Sequence, residues 1–241
     1  MITIRKSQER GHANHGWLDS YHSFSFAEYY DPAHMGYSVL RVINEDKVAA
    51  GTGFGMHSHH DMEIITYMLA GELTHQDSMG NGSVIRSGDV QRMTAGSGIR
   101  HSEINASAET EAYLLQIWIT PAQKKLPPSY EEKHFSSEQK HNHWCLIAAP
   151  DGRDGAITIQ QDVDLYATVL DAGRKISVSL QQKRCAYLQV VAGEVLCAGA
   201  LLRAGDAAKI ENESSVEVTA QSNAEMLWFD LPMLGGQMLD E

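Results

Sequence analysis

The stretch FGMHSHHDMEI, residues 54–64, places three histidines and two acids among apolar residues. Its His57-x-His59 pair can offer two imidazoles to a metal ion, because side chains two residues apart in a β-strand share one face and lie roughly 7 Å apart. A single pair of this kind is more often a surface or core feature than a metal site. The stretch therefore needs a second pair elsewhere in the chain before it indicates metal chemistry.

A second pair follows in SGIRHSEIN, where His101-x-Glu103 shares one face of another strand. Two such pairs on facing strands bring three imidazoles and one carboxylate to a single point. This donor set suits a borderline divalent metal such as iron, nickel, copper, manganese, cobalt or zinc, and it leaves positions for water, substrate or dioxygen. We therefore predict one metal ion per chain, with four ligands: His57, His59, His101 and Glu103.

Neighbouring acids and histidines leave alternatives for the ligand set. Glu63 lies on the same nominal face as His59 but about 13 Å along an unbent strand, so only a bulge or bend would bring it to the metal. We favour Glu103 and keep Glu63 as a carboxylate that orients a ligand or supports the structure. His60 points to the opposite strand face and is expected in solvent. His75 lies among turn residues, so it is assigned to a hairpin and left out of the metal site.

The remaining histidines show no spacing that forms a second site. Those near the N-terminus share no common period; they are His12, His15, His22 and His34. His141-x-His143 repeats the pair spacing, but no H-x-E pair follows it in that half of the chain. We interpret it as a polar segment.

The elements that must position these ligands are short strands. Runs rich in β-branched and aromatic residues alternate with glycine and acidic turns, and helical periodicity is hard to find. The run ITYMLAGELTH followed by SGDVQRM has a counterpart in the second half, YLQVVAGEVLC followed by AGDAAKI. Gly-Glu and Gly-Asp at these offsets suit tight turns between antiparallel strands. This repeat predicts an all-β chain built from two related barrels.

A proline-rich segment divides the chain near its midpoint. Half of the six prolines lie between Pro121 and Pro128, where they interrupt strand structure. We therefore predict a metal-binding domain at 1–120, a linker at 121–137 and a second domain at 138–241. The second domain is expected to hold no metal, because its repeat segment RKISVSLQQ carries no histidine or acid pair.

Composition limits the classes to which the protein can belong. The chain has 241 residues, of which 43% are hydrophobic, and this suffices for a substantial core. A formal net charge of −12 disfavours direct binding to nucleic acid or to an anionic membrane. Three cysteines without C-x-x-C spacing indicate reduced thiols. With no signal peptide or membrane-spanning run in the sequence, we expect a soluble cytoplasmic protein.

The motifs as a set resemble those of the pirin family of bicupins. Gly51, the H-x-H pair and Glu63 match the opening of the first cupin motif, although the gap to the next motif glycine is seven residues where six is usual. Gly88, His101 and Asn105 are similar to the second motif, with two extra residues before the histidine. The segments RHSEIN and LLQIWITPAQKKLPPSY strengthen the resemblance, which covers most of the first domain and the linker.

This resemblance implies two cupin-type antiparallel barrels and places the metal ligands at the same four positions. Bacterial pirins are associated with quercetin 2,3-dioxygenase activity, which implies a small aromatic substrate, O2 and release of carbon monoxide, with iron as the first choice of metal. Glu103 is expected to be ligand and proton acceptor in one, with Glu63 as the alternative base. Animal pirins are described as iron-binding nuclear coregulators. The alternative is therefore a metal-binding regulatory protein that engages a protein partner without turnover.

Overall fold

Short β-strands make up more than half of residues 1–234, the part of the chain that the computed structural model describes. The first half contains β1 Ile2–Arg5, β2 Gly11–Asn14, β3 Leu18–His22, β4 Leu40–Val48, β5 Gly53–His59, β6 Glu63–Ala70, β7 Glu72–Asp77, β8 Gly82–Arg86, β9 Asp89–Thr94, β10 Ile99–Ile104, β11 Ala112–Ile119 and β12 Ser129–His134. The second half contains β13 Cys145–Ala149, β14 Ile157–Thr158, β15 Asp164–Leu170, β16 Lys175–Ser179, β17 Arg184–Ala192, β18 Glu194–Cys197, β19 Ala200–Arg203, β20 Ala207–Glu211, β21 Ser215–Ala220 and β22 Ala224–Pro232. In residues 1–234, helical structure is limited to α1 Ser137–Lys140 and the 3₁₀ turns Ser7–Glu9 and Arg153–Gly155. Within these residues no helix is long and apolar enough to cross a membrane.

The strands form two units, each made of a seven-stranded and a four-stranded sheet. In the first unit the orders are β12-β9-β6-β11-β4-β3-β2 and β5-β10-β7-β8. In the second unit they are β1-β20-β17-β22-β15-β13-β14 and β16-β21-β18-β19. The predicted all-β class with two cupin-type units is confirmed. Each unit is a cupin-type sandwich of two sheets that does not close into a complete barrel.

The internal repeat corresponds to equivalent turns in the two units. Gly71 joins β6 to β7 and Gly193 joins β17 to β18, with φ values of 70° and 77°. A Cβ atom at either position would lie within 2.5 Å of a backbone carbonyl oxygen, that of Glu111 or of Asn223. The Ala-Gly-Glu motif therefore recurs because both turns need a left-handed residue without a side chain.

The two seven-stranded sheets pack against each other through a shared apolar core. Ile43 and Ile117 of the first unit belong to the same buried cluster as Tyr187 and Phe229 of the second. Burial of apolar side chains from both halves in one cluster stabilises the pair of units as one body. Alternate residues of the first large sheet face the other way, toward the four-stranded sheet, and this inner space holds the polar residues described below.

Two strands lie outside their predicted domains, so the division at 1–120, 121–137 and 138–241 needs correction. β1 pairs with β20 and thus belongs to the second unit. β12 falls in the predicted linker but pairs with β9 at the edge of the first large sheet. An edge strand offers unpaired N–H and C=O groups to any extended segment that reaches it, so pairing does not follow sequence proximity. The division near the midpoint otherwise remains our proposal.

Candidate metal centre

Three of the predicted ligands converge where β5 and β10 pair. His101 lies directly opposite His57, and Ile99 lies opposite His59. The ring centroids are 4.5 Å apart for His57 and His101, 4.7 Å for His57 and His59, and 5.0 Å for His59 and His101. One ring nitrogen from each histidine lies within 4.8 Å of the others. The strand alternation assumed from the sequence therefore places three imidazoles at one point.

The burial, hydrogen bonding and protonation of these three imidazole rings are suited to binding a metal ion. His101 is 1% exposed, and neither of its ring nitrogens has a hydrogen-bond partner within the described chain. A buried polar atom without a partner is costly, and a metal bound to one nitrogen would remove that cost. His57 Nδ1 donates to the carbonyl oxygen of Gly55 at 2.7 Å, which leaves Nε2 as a lone-pair donor. Burial lowers the pKa of His59 to about 4 and that of His101 to about 3, so both rings are neutral, as ligation requires.

Glu103 groups with His101 but not with His57 and His59, and its carboxylate is held by other partners. A bulge between His101 and Glu103 shifts the register, so that Glu103 pairs with Phe54. Its Oε1 accepts from Thr66 Oγ1 and its Oε2 accepts from Gln116 Nε2, each at 3.1 Å. Burial raises the pKa of Glu103 to about 7, although both hydrogen bonds act in the opposite direction. A nearby cation would favour the ionised form.

His75 joins Glu103 in a second group of possible ligands, which the sequence analysis had not anticipated. It lies opposite Glu103 on β7, is fully buried, and comes within 4.8 Å of His101 and Glu103 through its ligand atoms. Its Nδ1 accepts from Gln91 Nε2 at 3.3 Å, and its ring packs at a tilt against Tyr130, with 4.8 Å between ring centroids. The prediction that His75 sits in a hairpin is confirmed by the β7–β8 pairing, but the residue faces the site and not the solvent.

Glu63 lies away from the imidazoles. It is buried at the start of β6, and its Oε2 accepts from the backbone N–H of Gln160 at 3.1 Å. This contact joins the first unit to the second. Within the described chain Glu63 belongs to no cluster of metal donors. It also does not line the cavity that opens beside the histidines, described next. Its position supports a structural role, whereas His60 is exposed as expected, with 84% of its side chain accessible.

A cavity of about 800 Å³ opens beside the histidines. Its size is in the range of sites for drug-sized molecules, and such sites combine apolar walls with a few polar groups. The rings of Phe26, Phe54 and Trp118 form part of its apolar wall. His59 packs edge-on against Trp118 at 5.0 Å, so one of the predicted ligands is held by an aromatic wall.

Three N-terminal histidines also line this cavity, which corrects the prediction that they belong to no site. They are His12, His15 and His22. No regular spacing connects them in the sequence. They meet because β2 pairs with β3 and β3 pairs with β4, and neither pairing could be inferred from spacing alone.

A row of buried polar side chains crosses the inner face of the first large sheet. Adjacent members occupy paired positions on β9, β6, β11, β4 and β3. We call this the polar row; it consists of Gln91, Thr66, Gln116, Asn44 and His22. Two of its members donate to Glu103 and one donates to His75. The row therefore holds the carboxylate at one point and reaches the cavity wall at His22.

In residues 1–234, groups of three or more possible metal donors occur only in the first unit. His141 instead contacts Asp171 at 3.0 Å on the surface, and His143 Nδ1 donates to the backbone of His141. That the second unit holds no metal remains a prediction.

Both halves of the chain match known families. Residues 3–119 match the family model described as Pirin, and residues 146–231 match the one described as quercetinase C-terminal cupin domain. A quercetin 2,3-dioxygenase of Escherichia coli (strain K12) is 47% identical over 232 residues, which cover 96% of this chain and 99% of that protein. A pirin-like protein of Caulobacter vibrioides is 41% identical over 95% of this chain and 99% of that protein.

A solved structure extends the similarity to the fold. The crystal structure of the bacterial pirin YhhW from Escherichia coli, in complex with nickel(II), matches with a TM-score of 0.93 at 46% identity. The match covers 97% of this chain and 100% of the Escherichia coli chain.

Proposed function

The chain belongs to the pirin family, and from that premise we propose that it is a metal-dependent dioxygenase that cleaves a flavonol such as quercetin with O2. The observation that carries the proposal is the buried ring of His101, whose nitrogens have no hydrogen-bond partner among the described residues. This ring adjoins His57 and His59 beside a cavity with aromatic walls. The names of the relatives support the same reaction class.

We propose one metal ion per chain, with four ligands: His57, His59, His101 and Glu103. Iron is our first choice, on the sequence resemblance, and the nickel(II) complex of the Escherichia coli pirin supports a first-row transition metal. A bound ion of this kind supplies Lewis acidity that lowers the pKa of a flavonol hydroxyl. For Glu103 to serve as fourth ligand, its carboxylate must contact the ion while it keeps Thr66 or Gln116 as a hydrogen-bond donor.

The protein's own residues orient the substrate and take its proton. The rings of Phe54 and Trp118 offer flat apolar surfaces to a planar aromatic molecule and exclude water from its faces. Glu103 accepts the 3-hydroxyl proton on a carboxylate oxygen. Burial raises its pKa to about 7 without the ion, and a bound cation would favour the ionised form that can accept a proton.

The proposed partners are a small aromatic substrate and O2. The net charge of −12 supports a protein that does not bind nucleic acid or an anionic membrane directly. A cytoplasmic location and a possible protein partner remain predictions from the sequence.

The test is loss of quercetin in air, followed by its visible absorption with metal-loaded and metal-stripped protein. We expect loss only with the loaded form. Unchanged quercetin with fully loaded protein would favour the regulatory alternative, in which a pirin binds its metal and a protein partner without turnover.

A further inference from the structure

Three buried side chains form a hydrogen-bonded chain in the cavity wall, apart from the proposed ligands. Ser20 Oγ donates to Asp46 Oδ1, and His22 Nε2 contacts Ser20 Oγ at 2.9 Å. All three residues are at most 4% exposed, and all three line the cavity. Ser20 and His22 lie two residues apart on β3, and Asp46 lies opposite Ser20 on β4. No spacing pattern in the sequence marks any of the three as a functional group.

Structural demands alone do not account for this arrangement. Within the described chain, Asp46 forms no ion pair, and its side chain has Ser20 as its one hydrogen-bond partner. A buried carboxylate with so little compensation lowers stability, and such groups are concentrated at functional sites. His22 Nδ1 and Asn44 Oδ1, also in the cavity wall, have no partner among the described residues. Two buried acceptors beside the cavity therefore lack donors, and a hydroxyl-bearing ligand bound against them would supply those donors.

The protonation states of the chain follow from burial and nearby charge. Burial, with His12, His15 and Arg10 nearby, lowers the pKa of His22 to about 4, so the ring is neutral. Burial and the neighbouring Glu45 raise the pKa of Asp46 to about 7, although the hydrogen bond from Ser20 opposes them. Asp46 can therefore hold a proton near neutral pH at little cost.

We propose that His22, Ser20 and Asp46 form a proton relay that takes up a phenolic proton from the aromatic substrate at the cavity wall. The substrate O–H bond breaks and its proton goes to His22 Nδ1. The proton on His22 Nε2 passes to Ser20 Oγ, and the hydroxyl proton of Ser20 passes to Asp46 Oδ1. No electrons are transferred: the substrate becomes a phenolate and Asp46 becomes a neutral acid. The identity of the substrate as a hydroxylated aromatic compound rests on the proposed function.

The polar row sets the distance between this relay and Glu103. His22 is paired with Asn44, and Asn44 is paired with Gln116, which donates to Glu103. Two strand spacings, about 10 Å, therefore separate His22 from Gln116. That span matches a molecule of two or three rings with one hydroxyl at the metal and another at His22. The relay thus predicts a substrate that is hydroxylated at both ends.

Ionisation of a bound probe without oxygen tests the relay separately from turnover. The probe is a flavone that carries the hydroxyls of quercetin except that at position 3, so that it lacks the group proposed to meet the metal. Its absorption moves to longer wavelength when a phenol ionises. We would titrate the pH of the anaerobic complex with metal-loaded wild type and with the Ser20→Ala and Asp46→Asn variants. Glu217→Gln, at an exposed position of β21 in the second unit, is the matched control.

We expect the bound probe to ionise in wild type and in Glu217→Gln at a pH at least one unit below its value in water. In Ser20→Ala and Asp46→Asn the same transition should move up by one unit or more, a tenfold loss of ionised probe, with metal content unchanged. A wild-type complex that ionises only at the pH of the free probe would overturn the relay. Relay variants that titrate like wild type would also overturn the relay. If only one of the two variants folds, that variant alone is sufficient for the test. Because neither O2 nor the 3-hydroxyl is involved, absence of quercetin turnover would leave this result standing and count against the dioxygenase alone.

Discussion

His101 lies directly opposite His57 in the pairing of β5 with β10, and its buried ring has no hydrogen-bond partner within the described chain. The two rings approach to 4.5 Å between centroids. A fold that selected these residues for packing alone would leave two polar nitrogens unsatisfied in its interior. A shared ion explains both the convergence of the rings and the missing partners.

Removal of this pair should remove the metal. In a His57→Ala, His101→Ala double variant we expect metal per chain to fall to near zero and the melting temperature to drop. The lost stabilisation would be about 2.7 kcal/mol where free metal is 100 times its dissociation constant. Elemental analysis and thermal unfolding measure the two effects. His60→Ala, in the exposed neighbour, is the control and should keep both wild-type values. Normal metal content in the double variant would place the ion elsewhere.

His75 distinguishes the two overlapping groups of donors. Because its Nδ1 accepts from Gln91 and its Nε2 faces the Asp77 carboxylate at 3.5 Å, both ring nitrogens of His75 are engaged. We therefore expect His75→Gln to retain metal, whereas His57→Ala should lose it. The measurement is metal per chain in the two single variants. The reverse result, with metal lost from His75→Gln and kept in His57→Ala, would assign the ion to the His75, His101 and Glu103 group.

The two buried glutamates should behave differently. In Glu103→Gln we expect quercetin turnover per bound metal to fall by about 10²–10⁴-fold, the range for loss of a general base. Glu63→Gln should keep metal and turnover, because its carboxylate contacts the backbone of Gln160 and not the cavity. Turnover and metal content would be measured for both variants. Full activity in metal-loaded Glu103→Gln, together with collapse in Glu63→Gln, would mean that the two roles are assigned the wrong way round.

The pH dependence of stability tests the environment of Asp46. Its pKa rises from 3.8 to about 7 on burial, so the folded protein keeps a proton that the unfolded chain loses between those values. This contribution to the free energy of unfolding is fully present below pH 4 and is lost as pH rises through 7. The side chain in Asp46→Asn is neutral at every pH, so the variant does not lose this stability as pH rises. At equal metal content, we expect the variant to be more stable than wild type at pH 8, by on the order of 1–4 kcal/mol, with little difference at pH 4.

Denaturant unfolding at the two pH values measures this effect, with the exposed Glu217→Gln of the second unit as control. A variant that is less stable than wild type at pH 8 would show that Asp46 is ionised and well compensated in the fold. A more stable Asp46→Asn with impaired ionisation of a bound phenol would instead match a residue retained for function at the expense of stability.

Local patterns predicted the core of the site. The pairs at His57 and His59 and at His101 and Glu103 follow from strand alternation, which depends only on neighbouring residues. The all-β class and the repeat around Gly71 and Gly193 are local in the same sense, because a glycine turn joins strands that are adjacent in the sequence.

Long-range pairing explains what the sequence did not predict. His75 meets Glu103 only because β7 pairs with β10, and His22 reaches the cavity only because β3 and β4 extend the large sheet. The transfer of β1 to the second unit has the same origin. Such pairings are determined by which sheet edges and faces remain to be covered, and that depends on the whole chain.

Dependence of the reaction rate on metal content tests the central claim most directly. Metal-stripped protein would be titrated with iron(II) or nickel(II), and quercetin loss, O2 uptake and carbon monoxide release would be followed at each step. We predict no reaction at zero metal and a rate that rises in proportion to bound metal up to one equivalent per chain, with quercetin and O2 consumed in equal amounts. A rate that does not change with metal content, or fully loaded protein that leaves quercetin intact, would contradict the assignment of this chain as a metal-dependent flavonol dioxygenase.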